Sequence, residues 1–148
     1  MAITSAICSS FKQELLQGKH NFSSSSGDSF KIALFTSSAT LNATTTDYST
    51  SNETTNTAGA SYSAGGAALT NTGVGLTSTT AFTDYSDVSW TTASFTANGA
   101  LIYRSDDNLS NTDAVCILAF GGDFTASNGT FTIQFPTAGG GSEIIRLG

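Results

Sequence analysis

The spacing of the apolar residues changes at residue 30, and this limits the folds open to the chain more than any other feature. Before it, Ile3, Ile7, Phe11 and Leu15 recur every four residues, with Ala6 and Leu16 close to the same stripe. That is the buried face of an amphipathic helix. After it the period is two. In "TFTIQF" (130–135) Phe131, Ile133 and Phe135 alternate with Thr130, Thr132 and Gln134, the pattern of a strand with one face on a core. "FKIALFTS" (30–37) is apolar on both faces, as a strand covered from two sides is. Further strands are expected at "DVSW" (87–90), "GALIYR" (99–104), "AVCILAF" (114–120) and "EIIRL" (143–147). Asn98-Gly99, Gly121-Gly122-Asp123 and Asn128-Gly129 supply turn chemistry between them.

The chain therefore reads as a mainly β protein: a single antiparallel β-sandwich, Ig-like or jelly-roll-like, with one N-terminal amphipathic helix. The spacing predicts that helix over residues 3–17, capped by Thr4 or Ser5 and stopped by Gly18. Residues 1–22 form the helix and its exit, a docking element; residues 23–29 form a Ser-rich linker; residues 30–148 form the sandwich domain. The Ile3, Ile7, Phe11 and Leu15 stripe must be buried on its own sandwich or on a neighbouring subunit, because an isolated helix of this length is marginal in water. Of the 28 residues from 36 to 63, fifteen are Ser or Thr. Threonine favours extended backbone, and Leu41, Tyr48 and Tyr62 can anchor the segment, so an ordered surface excursion is expected there.

At 148 residues one core is enough to bury roughly two thirds of the unfolded surface. Eleven Asp and Glu stand against five Lys and Arg, a formal net charge of -6, so attraction to a phosphate backbone is missing and nucleic-acid binding is not expected. The longest apolar run, "AVCILAF", is far short of the roughly 18 to 20 residues that cross a bilayer as a helix, so no membrane partner is expected. No basic n-region or unbroken apolar h-region opens the chain, so a secretory leader is not expected. Cys8 and Cys116 are far apart and show no framework or metal-knuckle spacing. They read as two buried free thiols.

Catalysis needs an activated group and a partner that tunes it, and candidates are few. His20 is the only imidazole; beside a helix end and a linker it is expected to be exposed or capping. Cys116 lies in the most apolar strand, where a thiolate is poorly solvated. No nucleophile elbow, phosphate-binding loop or dinucleotide turn occurs. Asp106, Asp107 and Asp113, with Asn108 and Asn111, offer hard oxygen ligands but lack EF-hand spacing, and a polar hairpin loop accounts for them equally. Asp84 and Asp87 with Tyr85 and Trp90 could form a sugar-binding patch; the rings are expected instead in the core or a turn. Five N-x-[ST] sequons, at Asn21, Asn42, Asn52, Asn108 and Asn128, follow from so much Asn, Ser and Thr. No catalytic residue, cofactor or metal is assigned.

"SSFKQELLQGKHNF", "FKIALFTSSATL", "YSAGGAALTN", "DVSWTTASFTANGALIY" and "GTFTIQFPTAGGGSEIIRL" together span most of the chain. With these segments it resembles a widespread group of small structural proteins of tailed bacteriophages, especially marine ones. The resemblance implies a non-enzymatic virion component made in the host cytoplasm, with capsid decoration (cement) as the preferred role. Its implied partners are the major capsid protein or another virion protein, and further copies of itself as a homo-oligomer. A neck or tail component is the alternative within that class. From another class the rival is a carbohydrate-binding adhesin using Tyr48, Tyr62, Tyr85 or Trp90 as a stacking platform. Exposed rings would favour the adhesin and buried rings the structural part.

Overall fold

A computed structural model describes residues 2–57, 61–106 and 112–148. Its elements in chain order are β1 (Ala6–Ile7), α1 (Ser9–Leu16), β2 (Phe30–Phe35), β3 (Ala67–Ala68), β4 (Asn71–Thr77), β5 (Thr80–Tyr85), β6 (Val88–Arg104), β7 (Ala114–Ile133) and β8 (Ile145–Leu147). They build two antiparallel sheets, ordered β1-β7-β6-β2-β3 and β4-β5-β8. The protein is a mainly β sandwich with one short helix.

The spine is the β6–β7 ribbon, far longer than either strand expected from sequence. "DVSW" and "GALIYR" are two ends of β6, and "AVCILAF" and most of "TFTIQF" are two ends of β7. The expected turns are irregularities within the ribbon. Gly121 to Asp123 bulge where Ala97 pairs with Phe124 and Gly99 with Ala119, and Asn128 (φ 51°) bulges between Ser127 and Gly129. Bulges of this kind add twist without ending the pairing. Gly99 is a socket: a Cβ there would come within 2.6 Å of Ile3 Cγ2 and 2.8 Å of the Leu118 carbonyl.

β2 is covered on both faces, as its pattern predicts. Phe30, Ile32, Ala33, Leu34 and Phe35 are all buried. On one face Phe30 meets the rings of Phe22 at 4.7 Å, Tyr85 at 6.1 Å and His20 at 6.4 Å, so the helix exit and the smaller sheet close that side. On the other face Tyr103 of β6 stacks on Tyr48 at 4.5 Å and donates to the Gly65 carbonyl. The hydroxyl-rich excursion closes this side. Leu41 and Tyr62 are buried in it and Tyr48 is half-buried against the core, so the three expected anchors hold an ordered segment.

The expected helix over 3–17 is corrected at its start. It covers only Ser9–Leu16, with Cys8 as N-cap and no side-chain cap bond, so neither Thr4 nor Ser5 caps it. Ile3 and Ile7 lie outside the helix. Ile7 pairs with Cys116 in β1, and Ile3 bridges Leu41 in parallel. Pairing with a strand edge satisfies the same backbone groups, and β-branched Ile3, Thr4 and Ile7 prefer extended backbone. Phe11 is buried and Leu15 packs against the core, so the second half of the stripe is helical. The end is as expected. Gly18 (φ 71°) closes a Schellman motif in which Lys19 N–H reaches the Glu14 carbonyl and Gly18 N–H the Leu15 carbonyl. Residues 23–29 follow as a loop tied at its base, where Asn21 and Asp28 exchange hydrogen bonds.

Candidate functional site

The Gly18 reversal folds His20 back over the helix it leaves. Its side chain is fully buried, 4.8 Å from the Phe11 ring, and its Nε2 lies 2.7 Å from Glu14 Oε2. The expectation of an exposed or capping histidine is therefore corrected. The carboxylate six residues earlier was invisible as a partner because only the reversal at Gly18 brings it back. Glu14, His20 and Asp113 place ligand atoms within 4.8 Å of one another, the described group that could hold a cation. Both carboxylates are already engaged, Glu14 by His20 and Asp113 by Arg104 at 3.6 Å. Among the described residues no cysteine or serine bonds to the imidazole, and the His20–Glu14 pair ties the helix exit back onto α1.

Arg104, at the end of β6, is buried among three carboxylates. It lies 3.2 Å from Asp106 and 3.6 Å from Asp28 and Asp113, and it also donates to the Lys19 carbonyl. Two of the three aspartates considered as a calcium loop, Asp106 and Asp113, thus flank an arginine that clamps the linker, at Asp28, and the helix exit, at Lys19, to the ribbon. Asp107, Asn108 and Asn111 lie outside the described residues.

A second buried carboxylate, Glu53, was not singled out from sequence. It accepts hydrogen bonds from Tyr48 Oη (2.6 Å), Tyr62 Oη (2.7 Å) and the Gly65 N–H (2.8 Å), while Tyr62 Oη accepts from the Leu34 N–H. Burial pushes the Tyr62 and Tyr48 hydroxyls well above their ordinary range, with the Glu53 charge adding to it. Burial likewise raises Tyr103, to about 12. These groups stay protonated and serve as donors.

None of the four rings considered as a sugar platform stands exposed. Tyr62, Tyr85 and Trp90 are buried, and Tyr48 is stacked on Tyr103. Their acidic neighbours act on backbone: Asp84 accepts from the Tyr85 N–H and Asp87 from the Phe135 N–H. Asp84 is itself buried, and desolvation raises its pKa. Cys8 and Cys116 are free and buried, as expected. Burial lifts the Cys8 thiol to about 11 and Cys116 higher still, which makes both poor nucleophiles.

The surface offers apolar recesses where the interior offers locked polar groups. One face of the small sheet carries Val74, Thr83 and Ile145 in one row and Leu76, Ala81 and Leu147 in the next. Its inner end, Thr83 and Ile145, is buried, whereas Val74, Leu76 and Leu147 are 64%, 71% and 56% exposed. Leu16, next to Leu15 on α1, is 92% exposed. Between the helix side and this sheet lie two adjoining recesses of about 310 and 650 Å³, both lined by Leu15, Ile145 and Leu147. Lys12 and Arg146 stand at the rim of the larger one. Covering an exposed leucine there contributes about 1.5–3 kcal/mol, so the cleft can hold an apolar partner. Of the stripe expected to dock, Ile3, Ile7, Phe11 and Leu15, the larger recess is lined by the last three; β8 falls within the expected strand "EIIRL", whereas β4 carried no signal that stood out. A comparison of the chain with known protein families, with characterised proteins and with solved structures finds no match.

Proposed function

We propose that this is a non-enzymatic structural protein of a bacteriophage particle, a capsid decoration protein that binds the shell through the cleft between α1 and the small sheet. The observation that carries the reading is the set of exposed apolar side chains at that cleft, Leu16, Val74 and Leu147, with Leu76 beside them on the same sheet face, in a chain with few charges. The likeness to small phage structural proteins supplies the class of partner, the major capsid protein. The burial of Tyr62, Tyr85 and Trp90 and the stacking of Tyr48 on Tyr103 support this reading over the sugar-binding alternative. An apolar contact of this kind resists salt, because screening weakens exposed ion pairs and leaves apolar burial intact.

The test compares particles with and without the protein after a wash at about 1 M salt, where the Debye length is about 3 Å. Hundreds of retained copies per particle and a higher temperature of DNA release are expected, since binding only the assembled state stabilises it. A Leu16→Asp and Leu147→Asp double variant should fold and fail to bind. Loss of the unmodified protein in salt would overturn the apolar contact. A handful of copies with no effect on DNA release would move the protein to the neck or tail.

A further inference from the structure

Among the described residues the two long edges of the β6–β7 ribbon are covered unequally: β6 pairs with β2 over Gly99–Arg104 and is met by a loop just before it, whereas most of β7 is not covered. Along β6, residues 54–57 cover the edge at Ser94 and Thr96: Thr54 Oγ1 donates to the Thr96 carbonyl, Thr57 N–H to the Ser94 carbonyl, and Asn56 Oδ1 accepts from the Ser94 N–H. Along β7, β1 pairs only at Cys116 and Ile117, and Ser5 Oγ takes the Ala119 N–H. Beyond Ala119, among the described residues, the hydrogen bonds of β7 run to β6 alone. Folded proteins blunt such an edge with lysine, proline or a bulge; Phe124 to Ile133 holds no lysine or proline and no charge, and the bulge at Asn128 interrupts it.

We propose that this edge pairs with the same edge of a second copy, antiparallel about a two-fold axis, to make one sheet across two chains. The inference stands apart from the virion reading, since it concerns the purified protein alone. What selects a second copy is the symmetry of the pattern. With Asn128 set aside in its bulge, Gly129 is the centre, with Phe-Thr-Ala-Ser before it and Thr-Phe-Thr-Ile after it. Turned end for end, Phe124 falls opposite Ile133 of the second copy, Ala126 opposite Phe131, Thr125 opposite Thr132 and Ser127 opposite Thr130. Apolar residues meet on one face and hydroxyls on the other, the self-complementarity an isologous contact requires. A two-fold normal to the sheet keeps like faces on the same side. An unrelated strand would need no such symmetry.

The apolar face supplies burial as well as register. Phe120, Phe124 and Phe131 border a recess of about 420 Å³ beside the free edge, and Phe124 is 53% exposed. The added strand brings its own Phe124 and Ile133 alongside that recess. A chain of net charge -6 repels a second copy through its acidic surfaces, and an uncharged edge is where that repulsion is least.

Sedimentation velocity across a concentration series tests this, with a species of twice the 15.1 kDa chain expected. Ser127 and Thr130 are both exposed, and the two-fold sets them opposite each other twice. Ser127→Lys with Thr130→Lys therefore weakens the dimer about tenfold or more, and Ser127→Lys with Thr130→Glu restores it. Near-UV circular dichroism from Trp90 reports that each variant is folded. Amide exchange of residues 124–133 in the unmodified protein provides a reading free of mutation, slowing as concentration rises through the dissociation constant. A monomer at every concentration overturns the proposal. So does a dimer indifferent to both charge variants, growth past the dimer through this edge, or exchange at 124–133 that ignores concentration.

Discussion

Replacing Phe11 with Ala should unfasten the helix from the sandwich, and the structure sets the size of the effect. The ring is 1% exposed, 4.8 Å from His20 and 5.9 Å from Phe22. Removing a fully buried phenylalanine costs about 3–5 kcal/mol in lost transfer energy and unfilled volume. The upper half of that range is expected, because His20 and Phe22 are held from behind by Phe30 and cannot collapse into the gap. At about 2–4 °C per kcal/mol for a domain of this size, a loss of about 4 kcal/mol lowers Tm by roughly 8–16 °C. A denaturant titration should show a lower midpoint at unchanged slope. Leu16→Ala is the control. Its side chain is 92% exposed, so stability should change by no more than about 0.5 kcal/mol. An unchanged Tm for Phe11→Ala, or an equal loss in both variants, would refute the division between a packed and an open side of α1.

Three further outcomes follow from the buried polar groups. All four tyrosines sit above their ordinary value near 10, Tyr103 at about 12 and Tyr48, Tyr62 and Tyr85 higher. Above pH 10 the unfolded chain thus releases protons that the folded chain keeps, so stability is whole below pH 10 and declines as the pH climbs toward 12 and beyond. Absorbance of tyrosinate should rise together with unfolding; a normal tyrosine titration in the folded protein would contradict this. Arg104→Ala leaves Asp28, Asp106 and Asp113 without their shared cation. It should cost about 2–3 kcal/mol by chemical denaturation, less than a fully buried pair because these carboxylates keep some water, and an unchanged midpoint would dismiss the clamp. Cys8 and Cys116 should react with a thiol reagent only after unfolding, and fast labelling of the folded protein would place a thiol at the surface.

The legible part of this fold is the part where one local pattern has one reading. The two-sided apolar run of β2 and the glycine after the helix each specify their outcome without help from distant residues. Ile3 and Ile7 were misread because spacing by four satisfies a helix and a buried strand edge alike over so short a stretch; the deciding partners, Leu41 and Cys116, are remote in sequence. The β4–β5 hairpin was missed for a different reason. Its connection, Ser78-Thr79, puts a serine at φ 56° where glycine or asparagine would have marked the turn. Asn98-Gly99 erred in the opposite sense, since glycine serves there to admit Ile3. His20 and Glu53 became interpretable only once the chain had brought their partners to them.

Hydroxyl side chains explain how a chain with so few charges ties its strands together beyond the ion-pair cluster at Arg104, and what that leaves on its surface. On the outer face of the ribbon Ser89 bonds Thr132 and Thr96 bonds Thr125 across the strands. In the excursion Thr54 and Thr57 bond β6 carbonyls. Each such residue combines a β-branched or compact stem suited to extended backbone with a short polar group that satisfies a neighbour locally. Three of the acidic groups gather at Arg104, Phe124 to Ile133 of the β7 edge carries no charge, and Lys12 and Arg146 border the α1 cleft. An association proposed at either would rest on shape, backbone pairing and apolar area. These terms persist at ionic strengths that abolish surface ion pairs.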